Sequence, residues 1–497
     1  LGKNLGCQQH RKPLGFRGAA GKGRSRERES TLSKSGEKKP RKASSTSSST
    51  PPTPPTSSVV SKNKDKAAVK EDRVVVVDGV RTPFLRAFTD FQDLTALDLS
   101  RIVTAELIAR VGLDPENVDE VIMGTVLPSP HAPNLARETV LATDLPKSIP
   151  GYTLGRACAS SAQAVISAAE GILRGEYDTV IAGGAESMSN VPVPYSKNVI
   201  DALMTLSKAK SFPAKMKALA GINLDSLLPQ APAIAESATG RTMGQHAEIM
   251  ARINGITRQE QDEFTLASHR NAAKARDDGK TKEEVMTVYP APRYKPVSQD
   301  SFVRGDATLE KLGELKPVFD KTYGTLTAGN SSGLTDGAAV VLLMRESKAE
   351  ELGLTPLCAV THWCTTALDP DDQLLLGPAL CVPQILEEAG ISLEEIDLLD
   401  IHEAFAAQVL AVVKSLESPE FARKYLGREG GEIVGKVDRE RLNVNGGSVS
   451  LGHPFGATGA RMVIGMAREL HRRQADKALL ALCAAGGMGT ALLLERI

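Results

Sequence analysis

The chain has 497 residues, 41% of them hydrophobic, enough for one large or two ordinary domains with sizeable cores. Its formal net charge of +0 hides an asymmetry: residues 1–70 hold 17 Lys and Arg against 4 Asp and Glu, and the other 427 hold 43 against 56. An acidic body argues against nucleic-acid binding, which needs a clustered basic surface, and six cysteines without a CxxC pair argue against a zinc knuckle or a disulfide framework.

The basic leader contains "KASSTSSSTPPTPPTSS" (42–58), a low-complexity run that can bury little apolar area and reads as disordered. A basic, Ser-rich, acid-poor leader fits an organelle transit peptide; a solvated tail is the alternative. Order is expected from "DRVVVVDGVRTPF" (72–84), whose four valines predict a fully buried strand ending in a turn. A helix near 95–112, a strand over 120–126, a helix over 159–174 and a strand from 178 follow. This alternation predicts an α/β layered fold.

Residues 188–320 break the pattern. Within them, "VPVPYSKNVIDALMTLSKAKSFPAKMKALAGINLDSLLPQAP" (191–232) mixes Pro with basic and apolar segments at helical spacing. It reads either as a cover for the core or as a face for a ligand or membrane. The second half then repeats the plan of the first. "GRACASSAQAVISAAEGILRGEYDTVIAGGAES" (155–187) and "LGHPFGATGARMVIGMARELHRRQADKALLALCAAGGMG" (451–489) share the order reactive residue, helix, apolar strand, Gly-Gly turn. Two similar halves are expected. The repeat bears on "ALLALCAAGGMGTALLL" (478–494), whose 17 uncharged residues approach the length of a membrane span. By analogy with 178–184 it reads as two antiparallel strands around a Gly turn, 478–483 and 489–495.

Four side chains are candidates for the chemistry, although a lone histidine is more often a core residue than a catalyst. Cys158 precedes a helix of small residues, whose dipole is expected to lower its pKa; a buried structural cysteine is the alternative. His402 stands where an apolar strand gives way to a helix, and His453 lies in a glycine-crowded loop without the GxxxxGK[ST] of a phosphate loop. Cys483 ends the strand of 478–483, and "AAGGMG" after it offers unencumbered backbone N–H groups that can hold an oxyanion.

These motifs resemble the thiolase family over nearly all of residues 72–497. Cys158 matches the family's nucleophilic cysteine, His453 the GHPxGxxG histidine and Cys483 the acid/base cysteine of CxxGGxG. His402 matches the first residue of NEAF/HEAF; His there is similar to the long-chain branch, which includes the β subunit of the mitochondrial trifunctional protein, as are "YGTLTAGNSSGLTDGAA" (323–339) and "DDQLLLGP" (371–378).

The resemblance implies a thiolase fold: two βαβαβαββ halves in five αβαβα layers, divided into 71–187, an inserted loop domain 188–320, 321–345 and 346–497. It implies CoA-dependent cleavage of 3-ketoacyl-CoA in fatty acid β-oxidation, with acetoacetyl-CoA synthesis by Claisen condensation as the alternative. A ketoacyl synthase would lack Cys483, and a scaffold protein would have no use for four such side chains. Backbone N–H groups of Cys158 and Ala485 are expected to hold the acyl-side oxyanion, and His402 with His453 the thioester oxygen. Ala328, Ser332 and Phe405 are expected beside CoA, which enters as substrate; no metal or cofactor is implied. A homodimer or larger oligomer, a hydratase/dehydrogenase α subunit, membrane contact through 188–232 and a mitochondrial matrix location are further expectations.

Overall fold

The computed structural model describes residues 72–193, 195–220 and 235–497. The readings of residues 1–70 and of 221–232 lie outside the described residues. The first half runs β1 (Val74–Arg81), β2 (Leu85–Arg86), α1 (Ala96–Val111), β3 (Glu120–Gly124), α2 (Leu135–Leu141), β4 (Gly151–Leu154), α3 (Ser160–Leu173) and β5 (Thr179–Glu186). Helices α4 (Lys197–Lys208), α5 (Phe212–Ala220), α6 (Met243–Ile253), α7 (Arg258–Asp277) and α8 (Leu309–Gly313) intervene before β6 (Thr335–Arg345) and α9 (Glu346–Glu351). The second half holds β7 (Cys358–Ala367), α10 (Gly377–Ala389), β8 (Leu398–Ile401), α11 (Ala406–Leu416), α12 (Pro419–Tyr425), α13 (Ser448–Leu451), α14 (Thr458–Arg473), β9 (Lys477–Ala484) and β10 (Met488–Glu495).

Local signals set these elements. The four valines of β1 are all buried, as a strand covered on both faces requires. Helix α1 starts at a capping box of Thr95 and Asp98 and stops at Gly112, whose φ of 67° suits a residue without a Cβ. The uncharged run near the C-terminus is the β9–β10 hairpin, in antiparallel register from Met488↔Ala484 to Glu495↔Lys477. Among the described residues no helix is long and apolar enough to cross a membrane.

The strand order is β4-β3-β5-β6-β1-β7-β10-β9-β8, with β2 beside β6. Each half therefore reads third, second, fourth, fifth, first. The third strand of the second half has shrunk to one parallel bridge, Leu399↔Leu442, where β4 stands in the first. The halves meet in a two-residue ladder, Val75↔Ala359 and Val76↔Cys358.

Three apolar clusters fill the spaces around the sheet. Leu99, Val103 and Leu107 of α1 and Val140 of α2 pack on the first half. Ile385 and Leu386 of α10 and Val409 and Val412 of α11 pack on the second. Between the halves lie α3 and α14, through Val165, Ile166, Val463 and Ile464. The result is the five-layered αβαβα thiolase arrangement. The small residues of α3 let α14 come close: a Cβ on Gly459 would collide with the backbone of Ala162, and Ala460 N donates to Ser161 Oγ at 3.0 Å. These contacts join the N-terminal turns of both helices, where the reactive residues of the two repeats sit.

Candidate active site

Cys158 lies in the turn between β4 and α3. Ala157 before it takes a left-handed φ of 44°, a strain of about 1–3 kcal/mol for a residue with a Cβ. The turn is held by Arg156 N donating to Ser160 Oγ at 2.9 Å and by that hydroxyl donating to Ala157 O at 2.6 Å. Cys158 is half-buried, so a substrate can reach it. Its own backbone N–H and that of Ala485, the two donors expected to form one oxyanion hole, both favour its thiolate form. Ala485 follows β9 and is absent from the positive-φ residues, whereas Gly486 and Gly487 have φ of 84° and 72°. The turn thus accepts Ala where many thiolases are expected to have Gly.

The expected lowering of the Cys158 pKa is corrected. Burial first, and the Glu186 carboxylate second, push it up to about 12. The sulfur sits two residues ahead of the first helical residue, Ser160, and the dipole fades within a turn. Cys158 therefore rests as a thiol and needs a base.

Sequence reasoning gave Glu186 no role. The carboxylate, at the end of β5, is buried and accepts from Thr125 Oγ1 at 3.1 Å, Val126 N at 2.9 Å, Leu127 N at 3.1 Å and Gly456 N at 3.0 Å. Gly456 belongs to the loop of His453, so one side chain of the first half ties down the base-bearing loop of the second. Backbone contact leaves no room for a side chain there: a Cβ on Gly184 would strike Gly456 O. An acid after "AGGA" at a strand end was the available signal; its partner 270 residues away was not.

His453 is held on three sides. Its N–H donates to Thr335 Oγ1 at 2.6 Å, Leu334 bridges it in parallel, and its Nδ1 lies 2.7 Å from Thr458 Oγ1. The Thr458 hydroxyl also lies 3.1 Å from Pro454 O, which can only accept; with the hydroxyl proton there, Nδ1–H is the donor in the pair with Thr458. Nε2 then carries a lone pair, is buried, and has no partner. Burial, and after it Arg461, lowers the His453 pKa to about 3, which keeps the ring neutral.

His402 follows β8, with its N–H donating to Ala481 O at 2.9 Å. Its ring lies 4.3 Å from that of His453, centroid to centroid, at 48°. Its Nε2 is likewise buried and unpartnered, and its pKa is lowered by burial, by His453 and by Arg461. One ligand atom each of Cys158, His402 and His453 lies within 4.8 Å of the others. Among the described residues this is the one such group that could also hold a metal ion. Cys483, fully buried in β9, has its pKa raised by burial and then by the neighbouring Cys158. The four side chains named from the sequence thus converge: a reachable thiol, a neutral imidazole, a second thiol and a second imidazole.

The expected CoA contacts lie on the adjoining segment before β6. Ala328 is exposed on the wall of a cavity of about 350 Å³ whose lining includes Arg86, His269, Phe302, Arg304 and Lys311. Ser332 is half-buried and donates its N–H to Ala404 O at 3.0 Å. Phe405 is buried, edge-on to Phe319 at 5.7 Å, and bridges to Ser331. Of the three, Ala328 alone lines that cavity.

Known proteins share this arrangement. Residues 74–347 match the family description "Thiolase, N-terminal domain" and residues 354–496 match "Thiolase, C-terminal domain". The "3-ketoacyl-CoA thiolase" of Photobacterium profundum is 46% identical over 424 residues, 85% of this chain and 97% of that protein. The protein of the same name from Pectobacterium carotovorum is 47% identical over the same shares. Among solved structures, the acetyl-CoA acetyltransferase of Bacillus anthracis superposes with a TM-score of 0.74 at 36% identity, covering 86% of this chain and 99% of that one. Human mitochondrial 3-ketoacyl-CoA thiolase in complex with CoA gives 0.73 at 31%, covering 86% and 98%. With its fold, its paired thiols and its two histidines so arranged, the chain belongs to the thiolase family.

Proposed function

We propose that this thiolase cleaves 3-ketoacyl-CoA with CoA, giving acetyl-CoA and a shortened acyl-CoA. The observation that carries the reading is the pairing of a reachable thiol, Cys158, with a buried second thiol, Cys483, beside the free Nε2 of His453. Cys158 Sγ attacks the 3-keto carbon as its proton passes to His453 Nε2. The negative charge growing on the substrate offsets the cost of a buried imidazolium. The keto oxygen takes hydrogen bonds from the N–H groups of Cys158 and Ala485. The C2–C3 bond then breaks, leaving the acyl group on Cys158 and an acetyl-CoA enolate. That enolate's oxygen is held by His402, directly or through a water, and by protonated His453, while Cys483 gives its proton to C2. The His453 proton then passes to the Cys483 thiolate; incoming CoA–SH yields its proton to His453 Nε2 and attacks the thioester, and Cys158 leaves and takes that proton back.

CoA fits the basic cavity beside Ala328. Arg86 and Arg304 suit its phosphates, Lys311 being paired with Asp306 of the same wall at 2.8 Å, and its pantetheine would run past Ser332 and Phe405 toward the cysteines. His402 at the HEAF position supports a long-chain 3-ketoacyl-CoA of β-oxidation as the substrate. The 36% identity to an acetyl-CoA acetyltransferase keeps acetoacetyl-CoA synthesis as the second reading. Turnover of 3-ketohexadecanoyl-CoA and of acetoacetyl-CoA should be compared under identical CoA. Faster cleavage of the long substrate is expected; preference for acetoacetyl-CoA would select the second reading.

A homo-oligomer, association with a hydratase/dehydrogenase α subunit and residence in the mitochondrial matrix at the inner membrane complete the proposal. Its support is the basic leader and the insert's surface. Helices α4 and α5 expose Ile200, Leu203, Met204, Phe212, Met216 and Leu219 beside Lys208, Lys210, Lys215 and Lys217. Apolar side chains rimmed by lysines suit an anionic membrane. On fractionation of cells, the full chain is expected with mitochondrial membranes, and Glu at those four lysines should move it to the soluble matrix. Recovery in the cytosol would remove the location, and unchanged membrane recovery of the variant would remove the surface.

A further inference from the structure

A buried serine touches one of the two histidines of the site. His402 Nδ1 lies 3.0 Å from Ser448 Oγ, at the start of α13. The other neighbour of that hydroxyl is the Arg461 guanidinium, whose Nη2 donates to it at 3.4 Å. Arg461 comes from α14 and is anchored by Asp400 at 3.3 Å, with both side chains buried. A guanidinium offers no acceptor, so among the described residues the Ser448 proton has one destination, His402 Nδ1. With Nδ1 accepting, the proton of the neutral ring resides on Nε2, the atom left buried and unpartnered.

Thr458 does the opposite to His453. Its hydroxyl proton is committed to Pro454 O, so it accepts from Nδ1–H and leaves a lone pair on Nε2. The rings are 4.3 Å apart. Two lone pairs aimed at one substrate would leave no imidazole donor until His453 had taken the Cys158 proton, and two N–H groups would leave no base. We propose that Ser448, backed by Arg461, is a positioning residue that holds His402 in its Nε2–H form, so that one of two adjacent imidazoles is a donor before any proton has moved. This rests on the reading of His402 as a hydrogen-bond donor to the thioester oxygen.

The test is a double-mutant cycle on the intact enzyme. Ser448→Ala should lower kcat for thiolysis about 10- to 100-fold, less than the roughly 10²- to 10³-fold of losing an oxyanion donor outright because His402 itself remains, with the KM for CoA nearly unchanged. In a His402→Asn background, whose amide N–H needs no tautomer, the same substitution should change kcat by no more than about twofold. In wild-type enzyme labelled with 15N-imidazole histidine, NMR should show His402 protonated at Nε2 and His453 at Nδ1. An equal loss from Ser448→Ala in both backgrounds, no loss in wild type, or a proton on His402 Nδ1 would each overturn the proposal. The underlying reading fails separately, because His402→Ala would then leave kcat intact.

Discussion

Replacing Cys158 by Ala is expected to lower kcat for thiolysis by roughly 10^4-fold or more, as loss of a covalent nucleophile does when the rest of its site cannot act without it. Nothing else in the enclosure can take over. Cys483 is fully buried with its thiol pKa raised by burial and then by Cys158. The fold should survive, since Ala removes one sulfur from a turn whose hydrogen bonds run through Arg156, Ala157 and Ser160. Mass spectrometry of enzyme mixed with substrate in the absence of CoA would check this: an acyl adduct on wild type, none on the variant. A variant that still turns over would end the acyl-enzyme scheme.

Cys483→Ser is expected to divide the reaction. The hydroxyl keeps the shape of the site but is a far weaker acid and base, so thiolysis should fall by about 10²- to 10⁴-fold. Transfer of an acyl group between Cys158 and CoA makes and breaks no carbon–carbon bond, and with His453 intact it should persist far better. Exchange of labelled CoA into an acyl-CoA, run beside thiolysis, reads both. Equal loss in the two assays would give Cys483 a place in nucleophile activation instead of enolate protonation.

The parts of this site that could be read along the chain are those whose signal is local. Cys158, His402, His453 and Cys483 each stand at a strand end or in a glycine-rich turn, and the Gly break inside the 17 uncharged residues marks the β9–β10 hairpin. The parts that could not be read depend on meetings through space. Glu186 acts by reaching Gly456, and Ser448 touches His402 and Arg461 from separate elements of the chain. The Cys158 pKa went the other way for the same reason: a helix start is visible in the sequence, whereas burial and an approaching carboxylate are not. The bridge at Leu442 shows a third kind of loss, since a strand reduced to one residue pair leaves too short a pattern to recognise.

The close crossing of α3 and α14 acts as a ruler. Ala162 lies four residues after the nucleophile and Gly459 six after the base. The gap between the two reactive groups is therefore calibrated by one absent methyl at the place where the repeats touch. Proton transfer from sulfur to nitrogen tolerates little extra distance, whereas packing between two helices has some slack. A substitution that wedges these N-termini apart would thus reach the chemistry before it reached the melting point. Each half taken alone would hold a nucleophile without a base or a base without a nucleophile, so the reactive pair is a property of the interface between the repeats.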